Sequence, residues 1–112
     1  MEIRFHAHHA DVSEPMRTRA ERDVLKAAER IPRVVEAIIR FEQDGALRRV
    51  TLTFRAPMHH DIVGSAEGRY FGPALTLALA RVKSQAAKED KVKPKGRAHQ
   101  LARAHQLARA RD

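Results

Sequence analysis

Residues 33–56 hold two runs of polar–apolar alternation on either side of a turn, and this pair constrains the fold more than any other feature of the chain. Residues 33–42 put Val35, Ala37, Ile39 and Phe41 on one side. Residues 47–56 put Val50, Leu52, Phe54 and Ala56 inward and Arg49, Thr51, Thr53 and Arg55 outward. Strand side chains alternate between faces, so each run reads as a half-buried strand. "QDGAL" between them is hairpin chemistry, because Asp-Gly accepts the positive φ that a tight antiparallel connection needs. A hairpin with one apolar face must lay that face against other elements.

Those elements can be read on both sides. Residues 1–7 alternate, with Ile3, Phe5 and Ala7 on one face and Glu2, Arg4 and His6 on the other, which predicts a first strand. Ser13 stands at a helix N-cap position, with Glu14 and Pro15 in the first turn, where a missing N–H has no intrahelical partner to lose. The helix predicted from there runs to about Arg30, because Pro32 disfavours a helical Ile31. At about 100° per residue Met16, Ala20, Val24, Ala27, Ala28 and Ile31 gather on one side. A short fourth strand over 62–67 follows. A second helix over about 70–89 buries Phe71, Leu75, Ala78, Leu79, Val82 and Ala86. The order β-α-β-β-β-α predicts an α+β sandwich, a four-stranded, mostly antiparallel sheet with two helices packed on one face. A right-handed crossover makes the first two strands parallel.

A chain of 112 residues builds one such domain with a single small core. With no Trp and four Phe, that core rests on Val, Ile, Leu and Ala. The lack of cysteine excludes disulfides, thiolate metal sites and cysteine nucleophiles, and it fits a reducing cytoplasm. No apolar run approaches membrane-spanning length, and Met1 leads into a strand pattern rather than a signal peptide. A cytoplasmic location without membrane association is expected.

The formal net charge of +8 is unevenly placed. From Lys91 onward seven Lys and Arg face Asp112 alone, a net of +6, while residues 1–90 hold 15 basic against 13 acidic side chains, a net of +2. After Lys93-Pro94-Lys95-Gly96, "RAHQLA" occurs twice, at 97–102 and 103–108. A six-residue repeat advances about 600° around a helix, so its leucines drift and build no apolar stripe. Residues 92–112 therefore read as a basic tail, marginally helical or disordered, on a folded domain over 1–91. An acidic polymer is the natural partner of such a chain.

Candidate chemistry is sparse. "DIVGSAEGRYFGPAL", residues 61–75, has the strand, glycine turn and helix of a phosphate cradle. A P-loop, however, needs glycines five apart and then Lys-Ser/Thr, whereas Gly64 and Gly68 are four apart and are followed by Arg69 and Tyr70. The glycine spacing and repeated βαβ setting of a dinucleotide fold are missing too. Structural duties remain: Gly64 lets strand and helix pack closely, and Gly68 takes positive φ at the turn.

Seven histidines invite a metal site, and His6 and His8 share a strand face. A sheet in chain order would put them at the edge opposite His59 and His60, and no carboxylate falls at a ligand spacing, so no metal is expected. Ser13 reads as a helix cap, Ser65 as a strand residue and Glu89-Asp90 as a helix end among lysines. None sits in a pattern that would shift a pKa. No enzyme activity, cofactor or small-molecule substrate is expected.

The basic residues are better organised. Arg19, Arg22, Lys26 and Arg30 are spaced 3, 4 and 4 along the first helix, confined to an arc of about 80° beside its apolar face. Glu21, Asp23 and Glu29 are interleaved with them, as on an ordinary solvated face. With a second helix alongside and a cationic tail beyond, phosphate binding is the better account.

Over roughly residues 2–91 the chain resembles the ribosome hibernation factors, also called ribosome-associated translation inhibitors. The resemblance rests on "SAEG" at 65–68 before "RYFGPAL", on "DVSEPMR" at 11–17, on "VVEAIIRFE" and "RRVTLTFRA", and on the order of the elements. It implies a bacterial stress-response inhibitor that binds the decoding region of the small ribosomal subunit. Family members lie there in the channel of mRNA and of A- and P-site tRNA, and grip rRNA with basic residues of both helices. The matching positions are Arg19, Arg22, Lys26 and Arg30 on the first helix, and Arg81, Lys83, Lys88 and Lys91 on the second helix and its exit. Lacking the second domain with which long-form members pair ribosomes, the chain corresponds to the short form, and nothing requires more than a monomer. The tail lies outside the resemblance. Two other readings fit the residues. One is a general double-stranded nucleic-acid binding module; the other is a regulator docking on a protein through outward Val34, Ile38 and Val63.

Overall fold

The computed structural model describes residues 1–92, with side chains through Lys88, so the "RAHQLA" repeat lies outside the described residues. The elements are β1 (Glu2–His8), α1 (Glu14–Glu29), β2 (Glu36–Asp44), β3 (Leu47–Arg55), β4 (Ile62–Gly68) and α2 (Phe71–Val92). One sheet runs in the order β1-β2-β3-β4, with β1 parallel to β2 and the other neighbours antiparallel. Both helices contribute to a single core with one sheet face, as the element order predicts. Among the described residues no helix is long and apolar enough to cross a membrane.

Local chemistry sets the ends of these elements. The Ser13 hydroxyl accepts the Met16 N–H at 3.2 Å, and Pro15 lies in the first turn of α1. The helix closes at Arg30, whose N–H is donated to the Ala27 carbonyl, while the Ile31 N–H is donated to that of Ala28, both at 3.1 Å, ahead of Pro32. Asp44 and Leu47 pair across a two-residue turn with Gly45 at φ +65°. Glycine with positive φ at the first loop position is the II′ pattern, whose twist matches that of the flanking strands.

The register lines up the inner face in rows across all four strands. Ile3, Ala37, Phe54 and Ile62 form one row, and Phe5, Ile39, Leu52 and Gly64 the next. The second row ends where α2 crosses closest. A Cβ on Gly64 would lie 2.6 Å from the Ala78 carbonyl oxygen and 2.7 Å from Val82 Cγ2. Gly64 therefore has the packing duty its sequence context predicts. Phe41, one row further, meets Phe71 of α2 edge-on at 5.1 Å between ring centroids.

Several details depart from the pattern read along the chain. Gly68 continues β4 opposite Arg48 without positive φ, and the chain turns at residues 69–70 instead. Val35 is half-exposed, whereas Val34 packs against the core. The alternation is thus offset by one residue before β2 begins. Ala7 is exposed on the edge strand, because Phe71 covers its row over Phe41 and not over β1. Finally, α2 reaches Val92, beyond the predicted Glu89.

Candidate nucleic-acid interface

The two faces of the molecule carry charge differently. On the outer face of the sheet the strands place Arg4, Arg40, Arg49 and Arg55 against Glu2, Glu36, Glu42 and Glu67. Arg4 bridges Glu2 at 3.4 Å and also pairs with Glu36; Arg55 reaches Glu36 at 3.4 Å and Asp61 at 3.6 Å. Arg49 lies 3.7 Å from Glu42 and is hydrogen-bonded to Glu67. That bond, and then the Glu67 charge, raises the Arg49 pKa above its ordinary value. Exposed pairs of this kind add little stability, but they leave the sheet face electrically neutral.

The helix layer carries fewer ion pairs: among the described residues Arg19 and Arg22 pair there, both with Asp23, and α1 also bears Glu21 and Glu29. From Gly68 through Lys88 the chain carries Arg69, Arg81, Lys83 and Lys88 and no carboxylate. Lys26, Arg30, Lys83 and Lys88 are exposed, and none forms an ion pair among the described residues. Arg22 is also exposed and lies 3.3 Å from Asp23. Lys91 sits in the last turn of α2, and its side chain lies outside the described residues.

Two of the sequence-predicted positions have an additional structural duty. Arg19 is half-buried, with Nε donating to Asp23 at 3.2 Å and Nη2 donating to the Thr76 hydroxyl at 2.9 Å. It ties α1 to α2. Arg81 donates from Nη1 to the Ser65 carbonyl at 2.6 Å, beside Gln85, whose Oε1 accepts the Val63 N–H at 3.1 Å. These two α2 side chains occupy backbone groups on the free edge of β4, which would otherwise invite another strand.

The structure brings Arg30 and Lys83 together in a cleft of about 410 Å³ between the end of α1, the β3–β4 loop and α2. Arg33, His59 and His60 also line it; sequence reasoning missed Arg33, and weighed the two histidines only as metal ligands. Periodicity says nothing about loop residues. The topology could have found them, because the register of β2, β3 and β4 places the 30–35 and 56–61 connections at one end of the sheet.

The residues considered for other chemistry are scattered. β1 and β4 are opposite edges, which separates His6 and His8 from His59 and His60. Among the described residues no group of three or more His, Cys, Asp or Glu is gathered that could hold a metal ion. Ser13 caps α1, and the Ser65 hydroxyl meets that of Thr51 at 3.2 Å on the outer sheet face.

These features define a two-layer α+β sandwich with a basic helix layer and a charge-balanced sheet face. Solved structures share its fold. A ribosomal subunit interface protein from Coxiella burnetii superposes with a TM-score of 0.74 at 18% identity, over 81% of this chain and 99% of its own. The N-terminal domain of Protein Y from Thermus thermophilus superposes with a TM-score of 0.67 at 16% identity, over 79% of this chain and 98% of its own. At these identities the likeness is one of fold, and it is the fold that the hibernation-factor resemblance implies. No family model and no curated protein matches the sequence.

Proposed function

We propose that this chain is a ribosome-binding translation inhibitor of the hibernation type, which occupies the decoding region of the small subunit and keeps mRNA and tRNA out. The observation that carries this reading is the uneven pairing of charge: among the described residues Lys26, Arg30, Lys83 and Lys88 of the helix layer are exposed without an ion pair, whereas Arg4, Arg49 and Arg55 of the sheet face are ion-paired. The fold supports it, since a ribosomal subunit interface protein has the same one. Arg22, Lys26, Arg30, Lys83 and Lys88 would engage rRNA phosphates, with Lys91 continuing the track. Arg19 and Arg81 hold the helices in place and offer their remaining N–H groups. Phosphate contacts position the domain, and RNA shape supplies specificity. Inhibition by occlusion needs no catalytic residue, cofactor or small-molecule substrate, and it takes place where ribosomes work, in the cytoplasm.

Sedimentation with ribosomes across a salt series, against equal masses of naked rRNA and duplex DNA, tests the proposal. Saturable pelleting with the small subunit at about one copy each is expected, falling steeply with salt. Arg22→Glu with Lys26→Glu should weaken it by roughly tenfold or more, while Arg40→Glu on the sheet face changes it little. Normal binding by the helix double variant would refute the reading. Equal affinity for naked duplexes would favour a general nucleic-acid module. Salt-tolerant binding would favour a protein-docking regulator, for which the sheet face offers Ile38 and Val63 but not Val34, which packs inward.

A further inference from the structure

The cleft at the end of the helix layer has a composition that a solvated dent does not need. Among the described residues its charged and titratable lining is all of one kind: Arg30, Arg33, Lys83, His59 and His60, with no carboxylate. Its floor is apolar, formed by Ile31, Val34, Ile62 and Ala86 over the buried Phe54 ring. The two loops that bring in Arg33 and the histidines are both held in conformations rare for their residues. Arg33 has φ +66°, and Met58, the neighbour of His59, has φ +67°. Non-glycine residues persist in the left-handed region where their surroundings over-determine them, and such positions cluster at binding sites. The loops also meet, with Arg33 Nη1 3.3 Å from His59 Nε2, a contact that needs this nitrogen unprotonated, as the acceptor.

We propose that this cleft binds one nucleoside monophosphate unit. Arg30, Arg33 and Lys83 supply charge-assisted hydrogen bonds for the phosphate. The apolar floor, together with the flat guanidinium of Arg33 and the imidazoles of His59 and His60, offers the surface on which a base stacks. The volume lies in the range of about 300–1,000 Å³ that small-ligand sites occupy. The same chemistry can come as a free nucleotide or as an unpaired nucleotide within an RNA strand. The inference departs from the sequence-based expectation of no small-molecule ligand. It goes beyond the ribosome reading and needs no ribosome for its test, although Arg30 and Lys83 belong to both surfaces.

The test is an NMR titration of the isotopically labelled full chain with AMP, with inorganic phosphate and adenosine as separate components, and with a five-residue oligoadenylate. Saturable shifts of residues 30–34, 56–62 and 83–87 are expected with AMP, with phosphate or adenosine alone at least roughly tenfold weaker. Arg33→Gly removes the cation while easing the backbone, since glycine accepts φ +66° without strain, so the fold is kept. This variant should bind AMP roughly tenfold more weakly. If the oligoadenylate displaces AMP from the same residues at lower concentration, the ligand is an RNA-borne nucleotide; if AMP holds against it, a free one. The proposal is overturned if the cleft shows no saturable shift, if phosphate alone matches AMP, or if Arg33→Gly binds as the parent does. Because the free chain is titrated, any of these leaves ribosome sedimentation to be judged separately.

Discussion

At Gly64 the backbones of β4 and α2 come so close that a methyl group would overlap the Ala78 carbonyl oxygen and press on the Val82 amide, 3.0 Å away. Two of the three nearest atoms are backbone, so no rotamer change relieves the overlap and the whole helix must lift. Gly64→Ala should destabilise the domain by about 1–3 kcal/mol, the usual range for overpacking, or more. Gly68 is the control. Its nearest neighbour would be the Tyr70 carbonyl oxygen at 3.9 Å and its φ is not positive, so Gly68→Ala should stay within about 0.5 kcal/mol. Urea unfolding of both variants checks the pair. Equal stabilities would mean that α2 does not rest on Gly64.

Between elements, Arg19 and Lys26 occupy the same arc of α1 and do opposite work. Arg19→Ala removes the bond to Thr76 that ties the helices and should lower stability by about 1 kcal/mol. Lys26→Ala should leave stability within about 0.5 kcal/mol and weaken ribosome pelleting. Denaturation and sedimentation of the two variants separate these roles, and a destabilised Lys26→Ala would count against a free cation there. The sequence could not distinguish them. Spacing of 3, 4 and 4 fixes which face a residue shares, but whether a guanidinium meets solvent or Thr76 depends on a helix 57 positions later. The elements themselves were legible because alternation in residues 33–56, the Ser13 cap, the Asp44-Gly45 turn and Pro32 are local signals that agree with one another. Where local and long-range influences diverge, the pattern failed. Ahead of β2 it is Val34 and not Val35 that packs against the core, and Gly68 stays extended because pairing with Arg48 holds it in the strand.

For the molecule as a whole, shape and charge are carried by different parts of the chain. Among the described residues every buried one of the core lies between Ala20 and Val82. Beyond Val92 the sequence adds six Lys and Arg against Asp112, a net of +5, so a chain ending at Val92 carries +3 of the original +8. Removing 93–112 should therefore leave the unfolding transition in place and change only how binding responds to salt. Each phosphate contact released contributes about 0.7–0.9 to the slope of log affinity against log salt. A shallower slope with preference for the small subunit retained is the expected outcome. It would assign recognition to the fixed helix layer and non-specific attraction to the tail. A truncated chain that bound naked rRNA as well as it bound the subunit would place specificity in residues 93–112, and the ordered cations of α1 and α2 would then lose the role proposed for them.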